Sequence, residues 1–287
     1  MIELDVLVIA DRRSPVARAY LSYLNAGGYA PKDIVLVDFF PRNHKFSKLC
    51  SIFGERMSLF VYDLYRYVSR FKSEARGIRR VGAQLTADFD VQIDFDKRFD
   101  FKKYSKSVKS VAVNNFEDDS LMKLVRESTA SAAIFTGGGI VKSNFINDCG
   151  KKILHVHPGT VPDVKGADGI LWSALVREKL GYSLFFMNEG IDTGDVLRKQ
   201  EFDLPSFSCD LMKKYGNNIC YRALLDFYDP HMRASLLAEE VDQSIKSGRS
   251  LWQREGRSQD PNQGRVYHFM HRDLKNKVLK MFFNSTH

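Results

Sequence analysis

His155 and His157 stand one residue apart in the run Ile153-Leu154-His155-Val156-His157, and strand alternation puts both imidazoles on one face. Two rings on one face can meet in a single cleft. Pro158-Gly159 then ends the strand and opens a loop from Thr160 to Gly169, where Pro162, Gly166 and Gly169 let backbone amides come close to a ligand. A helix from about Ile170 to Lys179 covers the cleft. A strand at Tyr182 to Met187 leads into Asn188-Glu189-Gly190-Ile191-Asp192-Thr193-Gly194-Asp195. A glycine-bounded acidic loop beside a strand end is where a carboxylate can be held against an imidazole for general acid–base work. Upstream, Gly137-Gly138-Gly139 follow a strand at Ala132 to Thr136, a position suited to backbone contact with a ligand. Asp168 and Asp195 read as caps or turn residues, and Trp172 as core of the covering helix.

The elements that must position these groups form an α/β pattern. Leu4 to Ala10 is a β-branched strand, Ser14-Pro15 caps a helix that Gly27-Gly28 stops, and Ile34 to Phe39 is a second strand. The turn after the first strand lacks the dinucleotide glycine pattern, so a nicotinamide or flavin cofactor is not supported there. Residues 41–109 read as an inserted helical region. The sheet resumes at Val111 to Val113, followed by a helix at about Asp118 to Glu127, the strand at Ala132 to Thr136, a short helix at about Ser143 to Asp148 and the strand at Ile153 to Val156. This alternation predicts a Rossmann-like, mostly parallel sheet with helices on both faces, which binds ligands beyond the carboxyl ends of its strands. After Pro205 the pattern turns mainly helical. The expected division is 1–205 as the α/β domain and 206–287 as a C-terminal extension packed on it.

At 287 residues and 44% hydrophobic, the chain can bury a substantial core. The four cysteines are scattered, without Cys-x-x-Cys or zinc-finger spacing, and read as reduced thiols of a cytoplasmic protein. The acidic start Met-Ile-Glu-Leu-Asp lacks the marks of a secretory signal, and no apolar run is long enough for a membrane span. The net charge of +8 is compatible with nucleic acid or anionic small molecules, but its basic residues are dispersed and select neither.

The stretch from His155 to Gly169, with His157-Pro158, Pro162 and Gly166-Ala167-Asp168, followed by Gly190-Ile191-Asp192-Thr193-Gly194-Asp195, resembles the formyltransferases that use 10-formyltetrahydrofolate. That family includes glycinamide ribonucleotide transformylase, methionyl-tRNA formyltransferase and sugar N-formyltransferases. The resemblance covers about Ala132 to Phe202. It implies an enzyme with 10-formyltetrahydrofolate as co-substrate, no metal, and catalytic residues His157 and Asp192, with His155 where the family has Asn. His157 would stabilise the intermediate's oxygen or move a proton, and Asp192 would orient it and hold a water. The folate would lie against Phe135, Thr136, Gly137, Gly138, Gly139, Ile140, Gly190 and Ile191. The acceptor would be a small molecule carrying an amine, such as an amino sugar or nucleotide-linked amine, bound partly by the insertion and the tail. A tRNA acceptor is not expected, because the family's tRNA enzymes carry a C-terminal β-barrel and the region after Pro205 reads helical. A homodimer through the C-terminal portion is one arrangement the resemblance leaves open. The exchange of Asn for His155 leaves two alternatives: hydrolysis of formyltetrahydrofolate, or a silent protein that binds folate or a nucleotide sugar.

Overall fold

The computed structural model describes residues 1–287 except 41–43, 70–71, 94, 96–98, 140, 261 and 286–287. The chain opens with β1 (Ile2–Asp11), buried without interruption from Val6 to Ala10, as a central strand covered on both faces must be. Ser14 then caps α1 (Pro15–Ala26): its hydroxyl accepts from the N–H groups of Val16 and Ala17, and Pro15 supplies the preset first helical turn. β2 (Tyr29–Phe39), α2 (His44–Ser69, broken at Gly54) and α3 (Ser73–Leu85) follow. β3 (Ser107–Val113), α4 (Asp119–Glu127), β4 (Ala132–Phe135), α5 (Ser143–Asp148) and β5 (Lys152–His157) continue the alternation. Next come β6 (Val164–Gly166), α6 (Gly169–Arg177), β7 (Lys179–Phe186) and β8 (Val196–Asp203). The last part holds α7 (Cys209–Tyr215), α8 (Asn217–Ala223), a π-helical turn at Leu224–Tyr228, α9 (Asp229–Lys246), β9 (Arg265–Tyr267) and α10 (Arg272–Phe282).

The seven-stranded sheet has the order β3-β2-β1-β4-β5-β7-β8. Its first five strands pair in parallel, and β7 and β8 join antiparallel to complete it. One face carries Leu4, Val6, Val8, Ile134, Leu154 and Val156 against Tyr20, Leu21 and Leu24 of α1 and Leu236, Leu237 and Val241 of α9. The opposite face carries Leu7, Ile9, Val35, Phe135 and Ile153 against Leu121 and Val125 of α4 and Phe145 of α5. Helices thus cover both faces, as the alternation requires. Leu211, Cys220, Val278, Leu279 and Phe282 join the first cluster, so residues after 205 share one core with the sheet. No helix among the described residues is long and apolar enough to cross a membrane.

Three sequence boundaries shift. β3 begins at Ser107, inside the stretch read as an insertion, and pairs with β2 from Asp33↔Ser107 onward. It is an edge strand, and its alternation of Ser107, Val108, Lys109 and Ser110 carries too little apolar signal to separate it from a polar loop. β8 went unread for the same reason: as the opposite edge strand it runs Val-Leu-Arg-Lys-Gln-Glu-Phe-Asp. The third shift is β6 pairing in parallel with β9, which ties the tail to the loop after β5 through Val164↔Arg265, Lys165↔Val266 and Gly166↔Tyr267. Three-residue strands have no periodicity to detect.

Candidate active site

His155 and His157 fall in the register of Ile153, on the sheet face opposite α9, and β7 lies beside them with His155↔Phe185 and His157↔Ser183. β7 runs antiparallel to β5, so the 187–195 hairpin must fold back over this face to bring Asp192 to the histidines. It does so with Asp192 in the left-handed region, φ 53°. Gln259 from the tail holds the hairpin, its side-chain amide donating to the carbonyls of Asp192 (3.0 Å) and Gly194 (2.7 Å).

The Asp192 Oδ2 atom accepts the Gly166 N–H at 2.7 Å and lies 3.4 Å from His157 Nδ1. The other nitrogen of His157, Nε2, is 3.2 Å from the Val164 carbonyl. A carbonyl can only accept, so neutral His157 carries its proton on Nε2 and turns a lone pair on Nδ1 toward Asp192. His155 Nδ1 is 3.3 Å from the Phe135 carbonyl, which by the same argument fixes the Nδ1–H tautomer and leaves the lone pair on Nε2. One donor atom from each of His155, His157 and Asp192 lies within 4.8 Å of the others.

His157 is only 3% exposed. Burial pushes it down to about 3, helped by the charge of Arg233, and the same two causes bring His155 to about 4. Both rings are therefore neutral at pH 7. Desolvation raises Asp192, while the Gly166 N–H hydrogen bond works against that rise. A lone pair facing a carboxylate oxygen at 3.4 Å is stable only with a proton or a cation between them. The arrangement is a buried imidazole–carboxylate pair.

Two glycines make the geometry attainable. A Cβ at Gly159 would lie 2.6 Å from both His157 Nε2 and the Val164 oxygen, inside the hydrogen bond that sets the tautomer. Gly166 has φ 92°, and a Cβ there would strike the carbonyl oxygen of Tyr267. Asp168 holds the tail: its carboxylate accepts from Tyr221 O–H (2.6 Å) and Met270 N–H (2.8 Å) and makes no cap bond to α6. Trp172 is half-buried, not a sealed core residue. It stacks on Tyr267 at 4.5 Å and donates to the His268 carbonyl at 2.9 Å.

The remaining sequence candidates divide. Phe135 reaches the site through its carbonyl, and its ring is 5.9 Å from that of His155. Thr136 binds the end of β4 to β1 through Thr136 Oγ1 donating to the Ile9 carbonyl. Gly137 is buried against Phe135 and Phe116, and Gly138 and Gly139 are exposed with open space beside them. Ile140 lies outside the described residues. Gly190 and Ile191 sit on the exposed part of the hairpin, where Gly190 N–H donates to Asn188 Oδ1 (3.1 Å) and not to a group in the cleft.

Sequence reasoning missed Arg233 and Gln259. Arg233 projects from α9 under β5, pairs with Asp229 at 2.7 Å and reaches the Val156 carbonyl at 3.4 Å. A helical arginine and a loop glutamine carry no motif, so nothing in the sequence marked them.

Residues 96–208 match the family model described as "Formyl transferase". A methionyl-tRNA formyltransferase of Syntrophus aciditrophicus is 38% identical over 53 residues, covering 18% of this chain and 17% of that protein. One of Finegoldia magna is 28% identical over 98 residues, 33% of this chain and 32% of that protein. These matches span about a sixth and a third of the relatives' lengths. The solved structure of WlaRD, described as a sugar 3N-formyl transferase in the presence of dTDP and 5-N-formyl-THF, aligns over 97% of this chain and 79% of its own at 11% identity and a TM-score of 0.50. The structural likeness extends over the fold, and the sequence match contains β5, the Gly166 turn and the Asp192 hairpin. Residues 96–208 therefore resemble the formyl transferase family in sequence, and they are set in the Rossmann-like sheet that the chain builds.

Proposed function

We propose that the chain transfers a formyl group from 10-formyltetrahydrofolate to the amine of a small acceptor, an amino sugar or a nucleotide-linked amine. The observation that carries this reading is the buried His157–Asp192 pair, anchored by Gly166 inside the family-matched segment. The acceptor nitrogen attacks the formyl carbon, and the new bond leaves a positive nitrogen and a negative oxygen on a tetrahedral centre. One proton must then pass from that nitrogen to N10 of the folate before the C–N10 bond breaks. His157 Nδ1 and Asp192, sharing one proton in a dry site, can accept the first and return the second, so the transfer needs no net proton. Asp192 also fixes the ring by holding the Gly166 turn whose neighbour, Val164, sets the tautomer.

In this reading the folate lies along Phe135 to Gly139 and the Gly190-Ile191 hairpin. Gly138 and Gly139 expose backbone at the carboxyl end of β4, which suits a flat polar ring approaching edge-on. Residues 1–205 would supply the donor chemistry, and the helices at 44–85 with the 206–287 segment would shape the acceptor site. WlaRD is described with dTDP, which favours a nucleotide-linked sugar among the acceptors to screen first.

The test is release of tetrahydrofolate from 10-formyltetrahydrofolate on adding each member of a panel of nucleotide-linked amino sugars. It is paired with calorimetric binding of a non-hydrolysable folate analogue to the wild type and to Asp192→Ala. Acceptor-dependent release and weaker analogue binding by the variant are expected. No analogue binding at millimolar concentration would overturn the reading, and release without any amine would replace transfer by hydrolysis.

A further inference from the structure

His155, His157 and Asp192 are arranged so that two imidazole lone pairs and a carboxylate converge, which proton transfer alone does not require. Each histidine spends its one N–H on a backbone carbonyl: His157 Nε2 on Val164 and His155 Nδ1 on Phe135. Each ring is thereby locked with its other nitrogen as a lone pair. A second-layer carbonyl fixing the tautomer in this way is the arrangement that prepares an imidazole for a metal ion. The third group, Asp192, is itself held by the Gly166 N–H.

The geometry points to a divalent transition-metal site of the zinc class formed by His155, His157 and Asp192. Ligands of a tetrahedral ion at zinc–nitrogen distances of about 2.0–2.1 Å lie about 3.3 Å from one another. His157 Nδ1 and Asp192 Oδ2 are 3.4 Å apart, and no pair among the three donors is farther apart than 4.8 Å. His155, half-buried, supplies the third donor within that 4.8 Å. Two imidazoles and one carboxylate favour zinc, cobalt or iron over magnesium and calcium, which prefer oxygen throughout. Three protein ligands leave a fourth position for water. Arg233, whose charge lowers both histidines, is paired with Asp229 at 2.7 Å, and the carboxylate of Asp192 supplies the negative charge that faces the cation.

The inference stands on donor geometry and holds whether or not the site transfers formyl groups. If it does, an ion between His157 and Asp192 replaces the proton they share, and metal loading stops transfer.

The probe is Co2+, added to full-length chelator-treated protein and followed by its visible absorption and by calorimetry, with Zn2+ displacing it. One ion per chain with tetrahedral-type bands is expected. His155→Asn, which installs a shorter side chain with a neutral amide, should weaken binding more than about 100-fold, beyond what loss of a supporting contact costs. Asp192→Asn should do the same, while His271→Ala, an exposed histidine distant in sequence, should leave it unchanged. Circular dichroism confirms that each variant is folded. No saturable cobalt binding, or binding that survives both His155→Asn and Asp192→Asn, overturns the inference. Folate-analogue binding measured on the same samples separates this failure from that of the transferase reading, because neither result requires the other.

Discussion

If the chain transfers formyl groups as proposed, replacing His155 by Asn should make it faster. The tetrahedral oxygen needs a hydrogen-bond donor, and His155 has none to give: its Nδ1–H is committed to the Phe135 carbonyl at 3.3 Å, and its remaining nitrogen carries a lone pair. An Asn side chain presents an NH2 group whatever its neighbours accept. A single oxyanion donor is worth about 100-fold or more in rate, so His155→Asn should raise kcat on the order of 100-fold, about 2.7 kcal/mol of barrier. KM for the folate should move little, since the new hydrogen bond strengthens only as charge develops on the oxygen. The assay is steady-state release of tetrahydrofolate in chelator-containing buffer, with the best acceptor from the panel. An unchanged or reduced kcat in a folded variant would refute the reasoning, because His155 would then be supplying the donor itself.

Three further outcomes follow from the geometry. Asp192→Asn keeps an acceptor for the Gly166 N–H but cannot share a proton with His157, so transfer should fall by about 100-fold or more with little change in melting temperature; activity within threefold of wild type would remove Asp192 from the proton path. Gly166→Ala forces a side chain onto a backbone at φ 92° and against the Tyr267 carbonyl, and should cost about 2 kcal/mol or more in denaturant unfolding along with most of the activity; an unchanged midpoint would count against it. His231 should make the fold acid-sensitive. It is buried, accepts from or donates to Tyr23 O–H through Nδ1 at 3.1 Å, and stacks on Phe89, and burial lowers it from 6.5 to about 4. The unfolded chain therefore binds the proton more readily, and stability present above pH 6.5 is lost as pH falls toward 4, by up to about 3 kcal/mol. Urea unfolding across that range should show this slope in wild type and a shallower one in His231→Phe.

The central strands were legible because burial on both faces writes an unbroken apolar run, as in Val6 to Ala10, and the Ser14-Pro15 cap carried its own signature. The first half of β3 and all of β8 were not, since solvent on one face admits Lys109, Arg198 and Lys199 where an interior strand would carry valine. In the site, spacing alone brought His155 and His157 to one face, and the glycine-bounded loop pointed to Asp192. What spacing could not convey was protonation. The tautomers depend on the Phe135 and Val164 carbonyls, and the polarity of the cleft depends on Arg233, whose distance in sequence from His157 leaves no local trace.

The parallel pairing of β6 with β9 has a consequence for the order in which the protein is made. The turn that seats Asp192 and sets the His157 tautomer is held from one side by residues 265–267, and Asp168 beside it is tied to Met270. A ribosome has therefore synthesised the histidines, the carboxylate and the whole seven-stranded sheet well before the piece that braces them emerges. A chain that ends before residue 265 should therefore carry both histidines and Asp192 without the β9 strand that braces their turn.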